Sequence, residues 1–488
     1  MTVRAFLLCA ILCVTHLPAM AQEGFVLFTR DFPPEEFAQR RAAIYDAIGP
    51  SALALVQGAP MPDNNTRFRQ SADFYYLCGI ESPHAYLLLD GAQRRATLFL
   101  PHRNEARERS EGKTLSAEDG ELIRQLSGME AVASSDLLHE QLTRYGRTQV
   151  IATLYTPFAP AEGFAGGRDV GLRGVAEIAS DPLDGRPSRA GQLIQLIKTR
   201  LPHFDVKNLN PIIDNLRLIK SPREIELIRR ATILSCEALR ESMRSTHPGI
   251  YEHELDGVAK FVYYRNGAQG EAYYSLVASG RNSWYPHYNA GKRQMQDGDF
   301  LLMDFAPDYG YYMSDITRQW PVNGKFNAWQ RELYGFYVKC YRSILKAIRP
   351  GVTPQQIKQE AAAEMEKILA SSRFSKPVYE TAAKNFVSSY KSGAQNPRTS
   401  LGHWVGMGVH DVGSDSGPLR PGMVFTIEPA LRVPEEQIYI RLEDLIVITE
   451  TGADIISDYL PMDIEGIEKI MKEEGMLERY PRIDLKKK

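Results

Sequence analysis

Four carboxylates and one imidazole, each set in an apolar, strand-like run, constrain this chain more than any other feature: Asp304, Asp315, His403, Glu428 and Glu443. Burying such charges unpaired would be prohibitive. The runs "LLMDFA" and "YYMSDITR" flank Pro307-Asp308-Tyr309-Gly310, which reads as a four-residue hairpin loop. In that register Ala306 faces Tyr311 and Asp304 faces Met313, so Asp315 lies on the same face one cross-strand pair away, about 7 Å along the diagonal. The runs "MVFTIEPALRV" and "IYIRLEDLIVIT" repeat the device around Pro434-Glu435-Glu436-Gln437. With Val433 facing Ile438, Glu428 stands directly opposite Glu443, an arrangement that like charges normally disfavour. One carboxylate on a strand reads as an exposed residue, and one histidine as structural; the pairing is what points to a cation. Oxygen-rich ligation with one nitrogen suits hard or borderline divalent ions such as manganese, cobalt or zinc. The pattern reads as a two-metal hydrolytic centre, and a register slip of one residue would turn a carboxylate to the other face.

A chain of 488 residues is too long for one ordinary core and implies two or three domains. Its formal net charge of −2 and the absence of a basic block beyond Lys486-Lys487-Lys488 give no footing for nucleic acid as a partner. Arg4 precedes the apolar run Ala5 to Val14, and Ala19-Met20-Ala21 supplies the small-x-small pattern read by a signal peptidase. Residues 1–21 are therefore expected to be a cleaved signal peptide, since the run falls short of the roughly 20 residues that span a bilayer. The mature protein is expected to be exported, periplasmic or secreted, with no membrane span. Cys9 and Cys13 leave with the signal, and the widely spaced Cys78, Cys236 and Cys340 form no disulfide framework.

Residues 22–215 alternate strand-like runs ("SALALVQG", "AYLLLD", "ATLFLP", "QVIATLY") with helix-prone stretches such as Leu115 to Gln125, the pattern of an α/β domain. An irregular link is expected near Asn208 to Asn215. Ser221-Pro222-Arg223-Glu224 then supplies a cap, a proline in the first turn and a glutamate three residues on, opening a helix to about Arg244 with Ile225, Ile228, Thr232 and Cys236 on one stripe. Helices, a carboxylate hairpin, helices from Trp329 to about Leu369 and a second carboxylate hairpin make residues 216–460 look internally duplicated. Lys376 to Ser400 reads as a polar surface excursion, and residues 461–488 as a helix with a basic tail.

The motifs "SDITRQWPVNGKF" from Ser314, "GHWVGMGVHDVG" from Gly402, "PGMVFTIEPAL" from Pro421, "IRLED" from Ile440 and "IKSPREIELIRRA" from Ile219 resemble the pita-bread metallopeptidases, in the branch of aminopeptidase P and prolidase. "FRQSADFYYLCGIESPHAYLLL" from Phe68 is similar to the domain that precedes the catalytic one in aminopeptidase P. The resemblance implies a two-domain chain, a creatinase-type α/β domain followed by a pseudo-duplicated α+β pita-bread domain. It implies Asp304 as ligand of one metal, Asp315 and Glu443 as bridges, and His403 and Glu428 as ligands of the other, with manganese the first choice and zinc or cobalt as alternatives. Glu428 is also the implied general base for a metal-activated water. His287 and His410 match active-site histidines suited to the substrate carbonyl, and Arg441 is placed to hold a ligating carboxylate.

Three positions depart from the family pattern. Thr399 stands where aminopeptidase P has a further histidine, Ala430-Leu431-Arg432 follows Glu428-Pro429 where relatives read Gly-Leu-Tyr, and Phe305-Ala306 follows Asp304 where a glycine is usual. The implied activity is removal of an amino-terminal residue preceding proline, from peptides with proline in second position. The alternatives are a prolidase acting on Xaa-Pro dipeptides, a metal-free creatinase-like hydrolase, which the five retained ligand types oppose, and a non-catalytic binding protein. The family also implies a homodimer or homotetramer.

Overall fold

The computed structural model of the chain describes residues 31–62, 66–148, 151–160, 167–413, 417–483 and 485. The expected signal peptide, with Cys9 and Cys13, and the terminal lysines lie outside the described residues.

The amino-terminal half is built on one six-stranded sheet: β1 (Ala52–Gln57), β2 (Tyr86–Asp90), β3 (Arg95–Leu100), β4 (Ala131–Ser134), β5 (Thr153–Thr156) and β6 (Asp205–Asn208), in the order β4-β3-β2-β1-β5-β6. The β1/β2 and β2/β3 pairs are antiparallel and the outer pairs parallel. Ala52, Ala54 and Val56 pack into the main core while Leu53 and Leu55 pack into a second one on the other face. Burial on both faces is why these strands read as continuous apolar runs. The expected irregular link after β6 is instead the helix Asn210–Leu218, with Pro in its first turn and Ile213 and Leu218 buried. The apolar spacing of Ile212, Ile213, Leu216 and Leu218 carries the helix through Asn210 and Asn215.

The second half opens with the helix Pro222–Ser245, whose capping box is formed: Glu224 N–H donates to Ser221 Oγ and Ser221 N–H to Glu224 Oε2, at 3.3 and 2.9 Å. Ile228, Thr232 and Cys236 are buried along it. The helix Glu252–Arg265 follows, then β7 (Gly270–Glu271), β8 (Leu276–Ser279), β9 (Phe300–Asp304), β10 (Pro307–Tyr309), β11 (Tyr312–Met313) and β12 (Thr317–Pro321). The helices Ala328–Ala347, Pro354–Ser371 and Pro377–Gly393 lead to β13 (Val424–Ile427), β14 (Ala430–Val433), β15 (Ile438–Arg441), β16 (Asp444–Ile448) and β17 (Ala453–Ile455). Helices followed by the three-stranded sheet β12-β9-β8, then helices followed by β13-β16-β17, give the duplicated α+β architecture.

The first hairpin corrects the expected register. Its turn is the two-residue pair Gly310-Tyr311, both at positive φ (59° and 72°), with Tyr309 facing Tyr312 and Asp308 facing Met313. Asp304 therefore faces Thr317, not Met313. The shift moves each partner by four residues, an even number, so Asp315 keeps its face and is still one pair away on the diagonal. A left-handed tyrosine gave no sign of the turn in the sequence; it is held by stacking on Tyr75, with ring centroids 3.6 Å apart, and by its hydroxyl against Glu81 at 2.6 Å. The second hairpin has the register expected, Val433 against Ile438. The flanking pairs Ile427 with Asp444 and Ala430 with Arg441 continue that register across a break at Glu428-Pro429, which sets Glu428 opposite Glu443.

The expected surface excursion after Lys376 is also corrected. The helix Pro377–Gly393 buries Tyr379, Ala382, Ala383, Phe386, Val387 and Tyr390, a 3.6-residue stripe that the polar residues between them obscured. Cys78, Cys236 and Cys340 are free and buried. No described helix is long and apolar enough to cross a membrane.

Candidate metal centre

The two hairpins meet edge to edge at an isolated bridge: Glu443 N–H donates to Thr317 C=O at 3.1 Å, and Thr317 N–H to Glu443 C=O at 3.4 Å. That junction puts Asp304 and Asp315 from one hairpin beside Glu428 and Glu443 from the other. His403, on the segment entering β13, closes the set: its Nε2 lies 3.4 Å from Asp315 Oδ2, 3.5 Å from Glu428 Oε1 and 4.0 Å from Glu443 Oε1. One donor atom each from Asp315, His403 and Glu443 falls within 4.8 Å of the others. Asp304, Asp315 and Glu443 are buried, and Glu428 is 26% exposed at its side chain.

Arg441, on β15, places its Nη2 on Asp304 Oδ2 and its Nη1 3.2 Å from Glu428 Oε2. Nη2 also donates to Thr317 Oγ1 at 3.1 Å, and that hydroxyl donates to Glu443 Oε2 at 2.7 Å. The Tyr273 hydroxyl lies 2.5 Å from Asp304 Oδ1 and 2.6 Å from Asp315 Oδ1, although it has one proton to offer. Glu443 Oε1 is buried with no donor among the described residues. Tyr273 and Thr317 were not singled out from the sequence; Thr317 could have been, because it follows Asp315 by two residues on the same strand face.

Four carboxylates thus face one guanidinium and one imidazole, which leaves two negative charges uncompensated even if the imidazole is protonated. The titration shifts report the same imbalance. Burial, then Asp315, Glu428 and Asp304, push the Glu443 carboxyl well above its ordinary range. Burial also raises Asp304, with Asp315 adding and Arg441 opposing. Burial would raise Asp315 too, but its contact with His403 pulls it below the usual value. His403 is pushed up to about 9: burial disfavours the charged ring, and Asp315 and Glu428 outweigh it. A site that draws a proton onto a histidine and leaves a buried carboxylate oxygen orphaned fits divalent cations.

The other site candidates lie around this cluster. The His410 ring centroid is 4.2 Å from that of His403, and its Nδ1 lies 3.0 Å from Asp169 Oδ2, a residue of the amino-terminal half that no sequence signal marked. Gly167 forms a parallel bridge with His410 at the same contact. His287 is exposed; partial burial, then the charges of Arg441 and His410, hold its pKa below the usual value. A cavity of about 540 Å³ lined by Arg168, Asp169, His403 and His410 opens between the halves. Thr399 Oγ1 accepts from Lys358 Nζ at 2.7 Å.

Residues 226–450 match the model of metallopeptidase family M24, and residues 37–155 that of the aminopeptidase P amino-terminal domain. The chain is 32% identical to the Xaa-Pro aminopeptidase of Escherichia coli (strain K12), over 90% of this chain and 97% of that one. It is 30% identical to the Xaa-Pro aminopeptidase of Haemophilus influenzae with the same coverage. The solved structure of E. coli aminopeptidase P with the inhibitor Pro-Leu superposes with a TM-score of 0.72 at 28% identity, covering 90% of this chain and 98% of the other.

Proposed function

We infer that this chain, which belongs to metallopeptidase family M24, is an Xaa-Pro aminopeptidase, a metal-dependent exopeptidase that splits the bond between an amino-terminal residue and a following proline. The observation that carries the reading is the convergence of both hairpins on His403 with two negative charges left over. Asp304 would hold one divalent ion, Asp315 and Glu443 would bridge two, and His403 and Glu428 would hold the second, with manganese the first choice and zinc or cobalt as alternatives. When bound, such ions bring the pKa of a coordinated water toward neutrality and polarise the scissile carbonyl.

The chain's own groups then have distinct tasks. Glu428, the carboxylate of the set open to solvent, takes the proton of the attacking water and passes it to the leaving proline nitrogen, which has none of its own in the tertiary amide. His410 and His287 donate to the carbonyl oxygen as charge builds on it. Asp169 accepts from Nδ1–H of His410, so the ring donates to the substrate from Nε2–H only as the imidazolium. Arg441 and Thr317 keep Asp304, Glu428 and Glu443 in one geometry.

The signal pattern of residues 1–21 supports export to the periplasm or beyond, and the family resemblance supports a homodimer or homotetramer; cell fractionation and sedimentation velocity test these. Activity is tested with the mature protein loaded with manganese, using Xaa-Pro-Yaa and Xaa-Pro peptides. Cleavage of the tripeptide, abolished by Asp315→Ala, is the expected result. Cleavage of the dipeptide alone would make the enzyme a prolidase, and no cleavage despite bound metal would refute a peptidase function.

A further inference from the structure

We propose that Arg432 is a specificity residue that reads a carboxylate on the substrate, so that this enzyme favours acidic peptides; this rests on the aminopeptidase reading above. Arg432 lies on β14 directly opposite Tyr439 on β15, and Ala430 lies opposite Arg441. Opposed residues of an antiparallel pair, and residues two apart on a strand, share a face. Arg432 and Tyr439 therefore project on the face from which Arg441 reaches Asp304 and Glu428, displaced along the strands by about 7 Å. Burial raises the Tyr439 phenol above its usual value, and the charges of Arg441 and Arg432 oppose the rise.

The guanidinium of Arg432 sits 4.8 Å from the ring centroid of Tyr439 and 5.6 Å from that of Trp284, three residues before His287. Two aromatic faces hold its position without using any of its five N–H donors. It is exposed, and among the described residues it has neither an ion pair nor a hydrogen bond. Glu436, in the turn of the same hairpin, is engaged by Lys376 at 2.7 Å and Tyr379 at 2.8 Å. A fixed, unpaired, fork-shaped cation at the edge of a hydrolytic centre matches a carboxylate. An extended peptide spans about 3.3–3.6 Å per residue, so that carboxylate lies one or two residues from the scissile bond. Two groups meet that reach: the side chain of an aspartate or glutamate, and the free carboxyl terminus of a short peptide.

The test compares kcat/KM of the metal-loaded enzyme on Ala-Pro-Ala amide, Glu-Pro-Ala amide and Ala-Pro-Ala free acid, for the wild type, Arg432→Leu and Arg432→Lys. The wild type should prefer at least one carboxylate substrate over the neutral amide by about tenfold at low salt, and by less as salt rises. Arg432→Leu should abolish the preference while leaving the neutral amide rate unchanged, and Arg432→Lys should keep most of it. Preference for Glu-Pro-Ala amide identifies the side chain as the source, and preference for the free acid identifies the terminus. An equal preference in Arg432→Leu overturns the proposal, as does a parallel loss on the neutral amide, which would make Arg432 a packing residue for Trp284. If the wild type cleaves none of the three peptides, the aminopeptidase reading falls and this one with it.

Discussion

A buried oxygen without a donor carries its full desolvation cost, and among the described residues none donates to Glu443 Oε1. Its partner Oε2 is better served, by Thr317 Oγ1, which is itself held by Arg441. The relay Arg441 to Thr317 to Glu443 orients the carboxylate so that the free oxygen points toward Asp315 and His403. Thr317→Val preserves side-chain shape, removes the hydroxyl and should weaken divalent metal binding roughly ten- to a hundredfold. Competitive titration against a chelating dye would measure it, and unchanged affinity would show that Glu443 needs no such support. The five converging donors were legible from charge set in apolar runs. Tyr273 and Asp169 were not, because a tyrosine in a strand-rich segment and an aspartate opening a helix are ordinary in isolation and acquire meaning through contacts spanning 31 to 42 and 241 residues.

At the scale of elements, each hairpin shows what pattern can and cannot specify. The second was readable because its loop is the four-residue stretch Pro434-Glu435-Glu436-Gln437 that the sequence suggested, and its register runs from Val424 with Val447 to Val433 with Ile438. The first was misread by an even number of residues, since Tyr311 adopts a left-handed conformation that the amino-terminal half stabilises through Tyr75 and Glu81. Face assignment survived because only odd slips reverse it. The helix Pro377–Gly393 was missed since its exposed face is rich in Lys, Ser and Asn. Element packing also fixes His403: a Cβ on Gly402 would stand 2.2 Å from the Thr426 carbonyl oxygen of β13. Gly402→Ala should therefore cost about 1–3 kcal/mol in stability, read by urea unfolding, as main chain yields to the methyl group. An unaltered midpoint would mean that the segment before His403 moves freely.

Across the whole molecule, the amino-terminal half is part of the site. Asp169 meets His410 across the cleft, and Arg217 ties Asp73 on one side to Asp411 on the other at 2.7 and 2.6 Å, with Lys220 Nζ 3.0 Å from Asp411. Asp169→Ala should lower kcat severalfold with metal content and KM nearly unchanged, and a change in KM alone would place Asp169 in substrate binding. Burial alone would raise the Asp411 carboxyl, but Arg217 and Lys220 hold it below the usual range. A folded pKa below the unfolded one gives a contribution that is complete above about pH 4 and lost as pH falls through the folded value. Asp411→Asn should flatten that acid limb and cost about 3–5 kcal/mol at neutral pH, since Arg217 and Lys220 stay buried with fewer anionic partners. Equilibrium unfolding between pH 3 and 7 would check both effects.

The central claim is that the two hairpins together form one dinuclear site, and metal stoichiometry tests it most directly. The protein, loaded with manganese and freed of excess ion, should carry about two ions per chain by elemental analysis, and Asp315→Ala and Glu443→Ala should each carry one or none. Two ions retained in either variant, or no bound ion in the wild type, would contradict it.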